Sequence, residues 1–144
     1  MAKTFFIDID GTLVNHLSND QIYEGVEEQV LPDAPQFVQT IYNEGHFVVL
    51  TTARLSRDQE VTEAMLKKFE IPYHHIIFDL GSEERILIND IKPPFAQDDP
   101  TLKKTKPTAY AINVERNKGF NDILRYDFMK LMRDGKQYLW QILG

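Results

Sequence analysis

The stretch KTFFIDIDGTL, Lys3–Leu13, joins a strand-forming run, TFFIDI, to two carboxylates, Asp8 and Asp10, set two residues apart. In a strand, residues i and i+2 point to the same face. Two like charges on one face of a buried strand repel each other and are expensive to remove from water. A cation or a reacting group beside them makes such an arrangement worth keeping. Gly11 follows at once, which suits a chain turning sharply near a ligand.

Outward from this stretch, further apolar runs read as buried strands: HFVVLTT (His46–Thr52), YHHIIF (Tyr73–Phe78), RILIN (Arg85–Asn89) and TAYAINV (Thr108–Val114). They are rich in Val, Ile and Phe without strict alternation, which suits a parallel sheet covered on both faces. Between them lie helical patterns. DAPQFVQTIYNEG (Asp33–Gly45) places Phe37, Val38, Ile41 and Tyr42 on one face and ends in a glycine cap. SRDQEVTEAMLKKFEI (Ser56–Ile71) carries Val61, Ala64, Met65, Leu66 and Phe69 at helical spacing, with Ser56 as N-cap. FNDILRYDFMKLMRDGKQYLWQIL (Phe120–Leu143) reads as one or two helices ending or breaking near Gly135, with Phe128, Tyr138 and Trp140 packing on the sheet. Alternating strands and helices predict an α/β, three-layer Rossmann-like fold with a mostly parallel sheet of about five strands. NHLSNDQIYEGVEEQVLP (Asn15–Pro32) is polar and aperiodic, a loop or small flap. IKPPFAQDDPTLKKTKP (Ile91–Pro107) holds four prolines and reads as an irregular loop.

The 144 residues suit one domain, 1–144, with room for a sizeable core. An apolar content of 42% and a charged content of 26% fit an ordinary globular protein. With no cysteine, disulfides and thiolate zinc sites are excluded, and a reducing cytoplasm is the easier compartment. MAKTFFIDIDG is too short and too acidic for a signal peptide or a membrane span. A net charge of −6 disfavours nucleic acid. A small anionic substrate would need local positive charge.

In a parallel α/β sheet, ligands bind at the carboxyl ends of the strands. That edge would gather Asp8 and Asp10, Thr51 and Thr52 followed by Arg54, and Asn89 with Asp90. Acids and a hydroxyl converging there suit magnesium, which takes oxygen ligands and is held by few carboxylates plus water and phosphate. A carboxylate such as Asp8 can then attack phosphorus. The second can protonate the leaving alcohol and activate water.

FFIDIDGTL resembles the first motif of the haloacid dehalogenase (HAD) superfamily, an apolar strand followed by Asp-x-Asp-Gly-Thr. The resemblance implies Asp8 as nucleophile and Asp10 as acid/base, with the Asp10 main-chain carbonyl reaching Mg²⁺. FVVLTTAR looks like the second motif and implies Thr52, rather than Thr51, as a phosphoryl-binding residue. RILIND looks like the fourth, metal-binding motif and implies Asp90 as metal ligand, with Asn89 as a neutral ligand or hydrogen-bond partner where the family commonly has a second acid. The motifs run in family order from Thr4 to Asp90. The family's lysine is missing, because the turn after the third strand reads FDLGSEE. Arg85 would open the fourth strand roughly 13–17 Å from its far end, at about 3.3 Å per residue. Lys92 and Arg54 are therefore the better phosphate-binding candidates.

Blander readings stand beside these. An EF-hand needs its glycine at the sixth position; here it comes fourth from Asp8. Thr51 and Thr52 also suit a plain strand, and Asn89 and Asp90 a helix cap. His74 and His75 are adjacent and would face opposite ways, which suits a strand start better than zinc. LKKTK (Leu102–Lys106) is by default a solvated basic cluster.

Neither gap between the motifs holds a cap domain. The resemblance thus implies a capless member that acts on large substrates or closes its site with a second copy. It implies a Mg²⁺-dependent phosphomonoester hydrolase with an aspartyl-phosphate intermediate. IPYHHIIFDLGSEERILINDIKP and TAYAINVERNKG look like small HAD-like hydrolases of sugar and surface-polysaccharide biosynthesis. The alternatives are a nucleotide or polynucleotide-end phosphatase, a phosphotransferase, or a binding or regulatory module with little turnover.

Overall fold

β1 (Thr4–Asp8), β2 (Phe47–Thr51) and β3 (His75–Ile77) form a parallel sheet in that order. The computed structural model describes residues 2–97, 99, 101 and 103–120, and the backbone of 140 and 141. The register pairs Asp8 with Thr51 and Thr51 with Ile77, so all three strands end at one edge. Buried Ile7, Val48 and Leu50 carry the sheet's apolar contribution to the core.

α1 (Asn19–Glu24) and α2 (Ala34–Asn43) connect β1 to β2. α2 buries Ala34, Phe37, Val38 and Ile41, spaced i, i+3, i+4, i+7, on the core. Pro35 falls in its first turn, where its missing N–H leaves no broken hydrogen bond. Tyr42 falls off this stripe and stacks at 4.7 Å on His74 instead. α3 (Gln59–Lys68) connects β2 to β3 and buries Thr62, Met65 and Leu66, while Val61 faces solvent. It is preceded by a 3₁₀ turn, Ser56–Asp58, whose N-cap is Leu55. Ser56 is therefore not the cap of α3; its N–H donates to Asp79 Oδ1 at 2.9 Å. Among the described residues no helix is long and apolar enough to cross a membrane.

The flap contains more order than its polar sequence suggests. Ser18 and Gln21 form a capping box that starts α1. Asn15 and Gln29 are bonded through Asn15 N–H to Gln29 C=O at 2.9 Å, and Leu31 N–H donates to Leu13 C=O at 3.0 Å. These bonds zip the two ends of the flap together.

Among the described residues the main sheet has three strands, where the sequence pattern predicts about five. Residues 85–89 form no strand, and Ile86 and Ile88 are 84% and 90% exposed. The end of this segment is tied to residues 106–108. Asn89 Nδ2 donates to Thr108 Oγ1 at 2.9 Å, and the Thr108 hydroxyl donates to the Asp90 carbonyl. Lys92 and Lys106 exchange backbone hydrogen bonds of 2.8 Å. An apolar run becomes a strand only where a partner edge takes its backbone groups, and residues 85–89 are paired with no described strand. Of TAYAINV, only β4 (Ile112–Asn113) is a strand. It pairs with β5 (Trp140–Gln141) in a separate two-stranded sheet. The expected C-terminal helix thus gives way to strand at Trp140 and Gln141. Its residues 121–139, with Phe128 and Tyr138, and 142–144 lie outside the described residues.

Candidate active site

β1 delivers Asp8 to the carboxyl edge of the sheet and then turns. The turn hydrogen-bonds Gly11 N–H to Val14 C=O at 2.7 Å and Leu13 N–H to Ile9 C=O at 2.9 Å. Gly11 holds φ at +86°, the left-handed value that a side chain resists. Buried Ile9, Leu13 and Val14 anchor the turn from below. Asp8 and Asp10 are left half-buried above it.

The two carboxylates have different surroundings. Asp8 Oδ2 accepts from the Thr12 hydroxyl at 3.2 Å. Burial, reinforced by the Asp10 charge, raises its pKa above the ordinary carboxylate value; Thr12, Arg85 and the Ile9 backbone oppose this. Asp10 is gripped by Arg54, Nε to Oδ2 at 2.9 Å and Nη2 to Oδ1 at 2.8 Å. Arg54 Nη1 donates to Glu28 Oε1 at 2.9 Å and to Thr62 Oγ1 at 3.1 Å. Burial by itself would lower the Arg54 pKa. The hydrogen bonds and charges of Asp10 and Glu28 outweigh burial and raise it.

Thr52 is fully buried beside this group. Its Oγ1 accepts from Arg54 N–H at 2.9 Å and its N–H donates to Ile77 C=O at 3.0 Å. The flap closes over the same end of β2: Asn19 Nδ2 donates to Ala53 C=O at 3.3 Å, and the Arg57 guanidinium sits 4.3 Å from the Tyr23 ring centroid. Asp8, Asp10, Thr52 and Arg54 are therefore brought to one edge. Asn89 and Asp90 lie on the exposed segment tied to Thr108, and Lys92 is bridged to Lys106. A cavity of about 470 Å³ lined by Tyr42, Glu63, Lys67, Ile71 and Tyr73 lies toward the amino end of β3, away from this edge.

The donors at this edge suit a hard cation. The Asp8 carboxylate and the Asp10 carbonyl are oxygen ligands, and magnesium commonly takes one or two carboxylates and completes its shell with water and phosphate. Among the described residues no group of three or more histidine or acidic side chains is placed to hold an ion, so Asp90 does not join Asp8 and Asp10 in such a cluster. His74 serves the sheet: its Nδ1 accepts from Val48 N–H at 3.0 Å and its ring stacks on Phe47 at 4.3 Å.

Sequence reasoning passed over Glu28, Thr12 and Thr62. Glu28 stands in a run with Glu24 and Glu27, and nothing in that pattern singles it out. Arg85 was set aside as the far end of a strand. Without that strand, its charge acts on Asp8. Comparison with family models, with curated proteins and with solved structures finds no match to this chain.

Proposed function

We propose that this chain is a magnesium-dependent phosphomonoester hydrolase that works through an aspartyl-phosphate at Asp8. The observation that carries the reading is the pair of carboxylates in unlike settings at one sheet edge. Asp8 carries no ion-pair partner among the described residues, and Asp10 is fixed by Arg54. The unpaired Asp8 keeps oxygens open for attack, and Asp10 stands beside it on the same turn.

Asp8 attacks phosphorus, an Asp8 oxygen–phosphorus bond forms, and the bond to the leaving alcohol breaks. Asp10 gives a proton to the leaving oxygen. It then takes one from the water that cleaves the acyl phosphate and releases inorganic phosphate. Asp8 and Asp10 would hold Mg²⁺, with Asn89 and Asp90 as the remaining sequence candidates. The ion supplies charge neutralisation on the transferring phosphoryl group. Of the phosphate-binding candidates in the sequence, Thr52 and Arg54 lie buried at this edge and bonded to each other, and Lys92 is paired with Lys106. Sugar phosphates are the first substrates to try, then nucleotides and polynucleotide ends.

A second reading, a binding or regulatory module with little turnover, is favoured by one observation: Asn89 and Asp90 are engaged by Thr108 rather than grouped with Asp8. Phosphate release from sugar phosphates, nucleotides and p-nitrophenyl phosphate separates the two. It is measured with Mg²⁺ and with chelator, for the wild type and Asp8→Asn. The hydrolase shows metal-dependent release that Asp8→Asn abolishes. Full activity in Asp8→Asn sinks the proposed nucleophile, and magnesium binding with no release from any ester selects the module.

A further inference from the structure

The hydrolase reading leaves one charge problem at the site. Asp8 feels the charge of Arg85, but among the described residues Asp10 and Glu28 are paired only by Arg54, and that buried guanidinium is already committed to Asp10, Glu28 and Thr62. Arg54 therefore cannot also grip a phosphate dianion without breaking bonds to its own partners. A second cation must come from elsewhere.

The turn over residues 115–120 supplies one. Asn117 N–H donates to Gly11 C=O at 2.9 Å, and Asn117 Oδ1 accepts from His16 N–H at 2.7 Å. Phe120 N–H donates to Pro32 C=O at 2.9 Å, and the buried Phe120 ring stacks on Phe37 at 4.7 Å. Gly119, at φ +77°, has no room for a side chain: a Cβ there would lie 2.4 Å from the Pro32 carbonyl oxygen. Three hydrogen bonds and a buried ring thus dock this turn on the loop that follows β1.

The docked turn lays Arg116 across Gly11. A Cβ on Gly11 would meet Arg116 Cγ at 3.1 Å and its Cδ and Nε at 3.8 Å. Thr12, the next residue, reaches Asp8 with its hydroxyl. The Arg116 stem thus lies over Gly11, three residues along the turn from Asp8. Arg116 is exposed and, among the described residues, makes no ion pair. Resting on the phosphomonoester reading, we propose that Arg116 is a substrate-binding residue that grips the phosphate group presented to Asp8. A guanidinium fork matches two phosphate oxygens, which a lone lysine does not.

Calorimetric titration of the whole chain with inorganic phosphate, in the presence of Mg²⁺, tests this without requiring turnover. Arg116→Met keeps the stem over Gly11 and removes the charge; Arg116→Lys keeps the charge. Arg116→Met is expected to raise the Kd for phosphate about tenfold, the loss of one charge-assisted contact, with an unchanged thermal midpoint. Arg116→Lys is expected to recover most of that loss. Phosphate binding that depends on Arg116 in a chain that hydrolyses no ester would keep this assignment and remove the hydrolase reading. An Arg116→Met protein that binds phosphate as tightly as the wild type overturns the assignment, and so does a wild type that binds none.

Discussion

Arg54 meets Asp10 through two parallel hydrogen bonds, of 2.9 and 2.8 Å, with its guanidinium wholly buried. Its Nη1 donors go to Glu28 on the flap and Thr62 on α3. One side chain thus ties the turn after β1, the end of β2, the flap and a helix together. Burying a charge costs several kcal/mol unless partners surround it, and here they do.

Removing Arg54 leaves Asp10 and Glu28 with side chains only 12% and 13% exposed and no counter-charge. Arg54→Met is expected to destabilise the fold by about 3–5 kcal/mol, read from the urea midpoint. Arg54→Lys should not rescue it, because a point charge cannot span both Asp10 oxygens and Glu28. Glu28→Gln keeps an acceptor for Arg54 and is expected to cost only about 1 kcal/mol. Equal losses in Arg54→Met and Glu28→Gln would show that Asp10 is not the main partner.

Gly119→Ala sets a methyl group against the Pro32 carbonyl at a φ of +77°. The expected loss is about 1–3 kcal/mol. Phosphate binding should weaken as well, since the turn carrying Arg116 can no longer dock. Chemical denaturation and phosphate titration of the same variant check both effects.

Much of the fold was legible because local pattern and final structure agree. TFFID and FVVLT pair as parallel strands with Asp8 opposite Thr51, and the Phe37, Val38, Ile41 stripe faces the core, but the sheet is not covered on both faces, since Phe6 and Phe47 stand exposed. Thr52 and Arg54 fall at the same edge as Asp8, as their spacing after an apolar run implies. The failures have a common cause. RILIN has strand composition, but a strand also needs a free neighbouring edge to pair with, and that is not written in the run itself. Glu28 reaches the site through the flap, and Arg116 is laid over Gly11 by a left-handed turn, neither of which has a period to read. Arg85 was misplaced by the same error, since its distance from the site was measured along a strand that does not form.

The segment over residues 85–91 offers a direct check of that difference. Ile88 is 90% exposed, so Ile88→Lys is expected to change stability by no more than about 0.5 kcal/mol, the range of surface substitutions. Were Ile88 on a buried strand, as its sequence suggests, an unpaired lysine there would cost several kcal/mol. Thermal and urea unfolding of the variant distinguish the two outcomes.

Asp8 should make stability and activity pull in opposite directions. Its pKa is raised in the folded protein, first by burial and then by Asp10, so folding favours the protonated form. Between the unfolded value of 3.8 and the higher folded value, the native state binds more protons than the unfolded state. Stability contributed by this group therefore falls as pH rises through that window, and the penalty persists above it. Asp8→Asn removes the charge while nearly preserving shape. At pH 7 without added metal it is expected to raise the thermal midpoint above that of the wild type. The gap should close as pH falls toward 3.8, where the wild-type carboxyl also becomes neutral. Added Mg²⁺ should narrow the gap from the other side, by stabilising the wild type and leaving Asp8→Asn nearly unchanged. A variant less stable than the wild type at pH 7 would mean that Asp8 is held by an attraction stronger than its burial and its repulsion from Asp10.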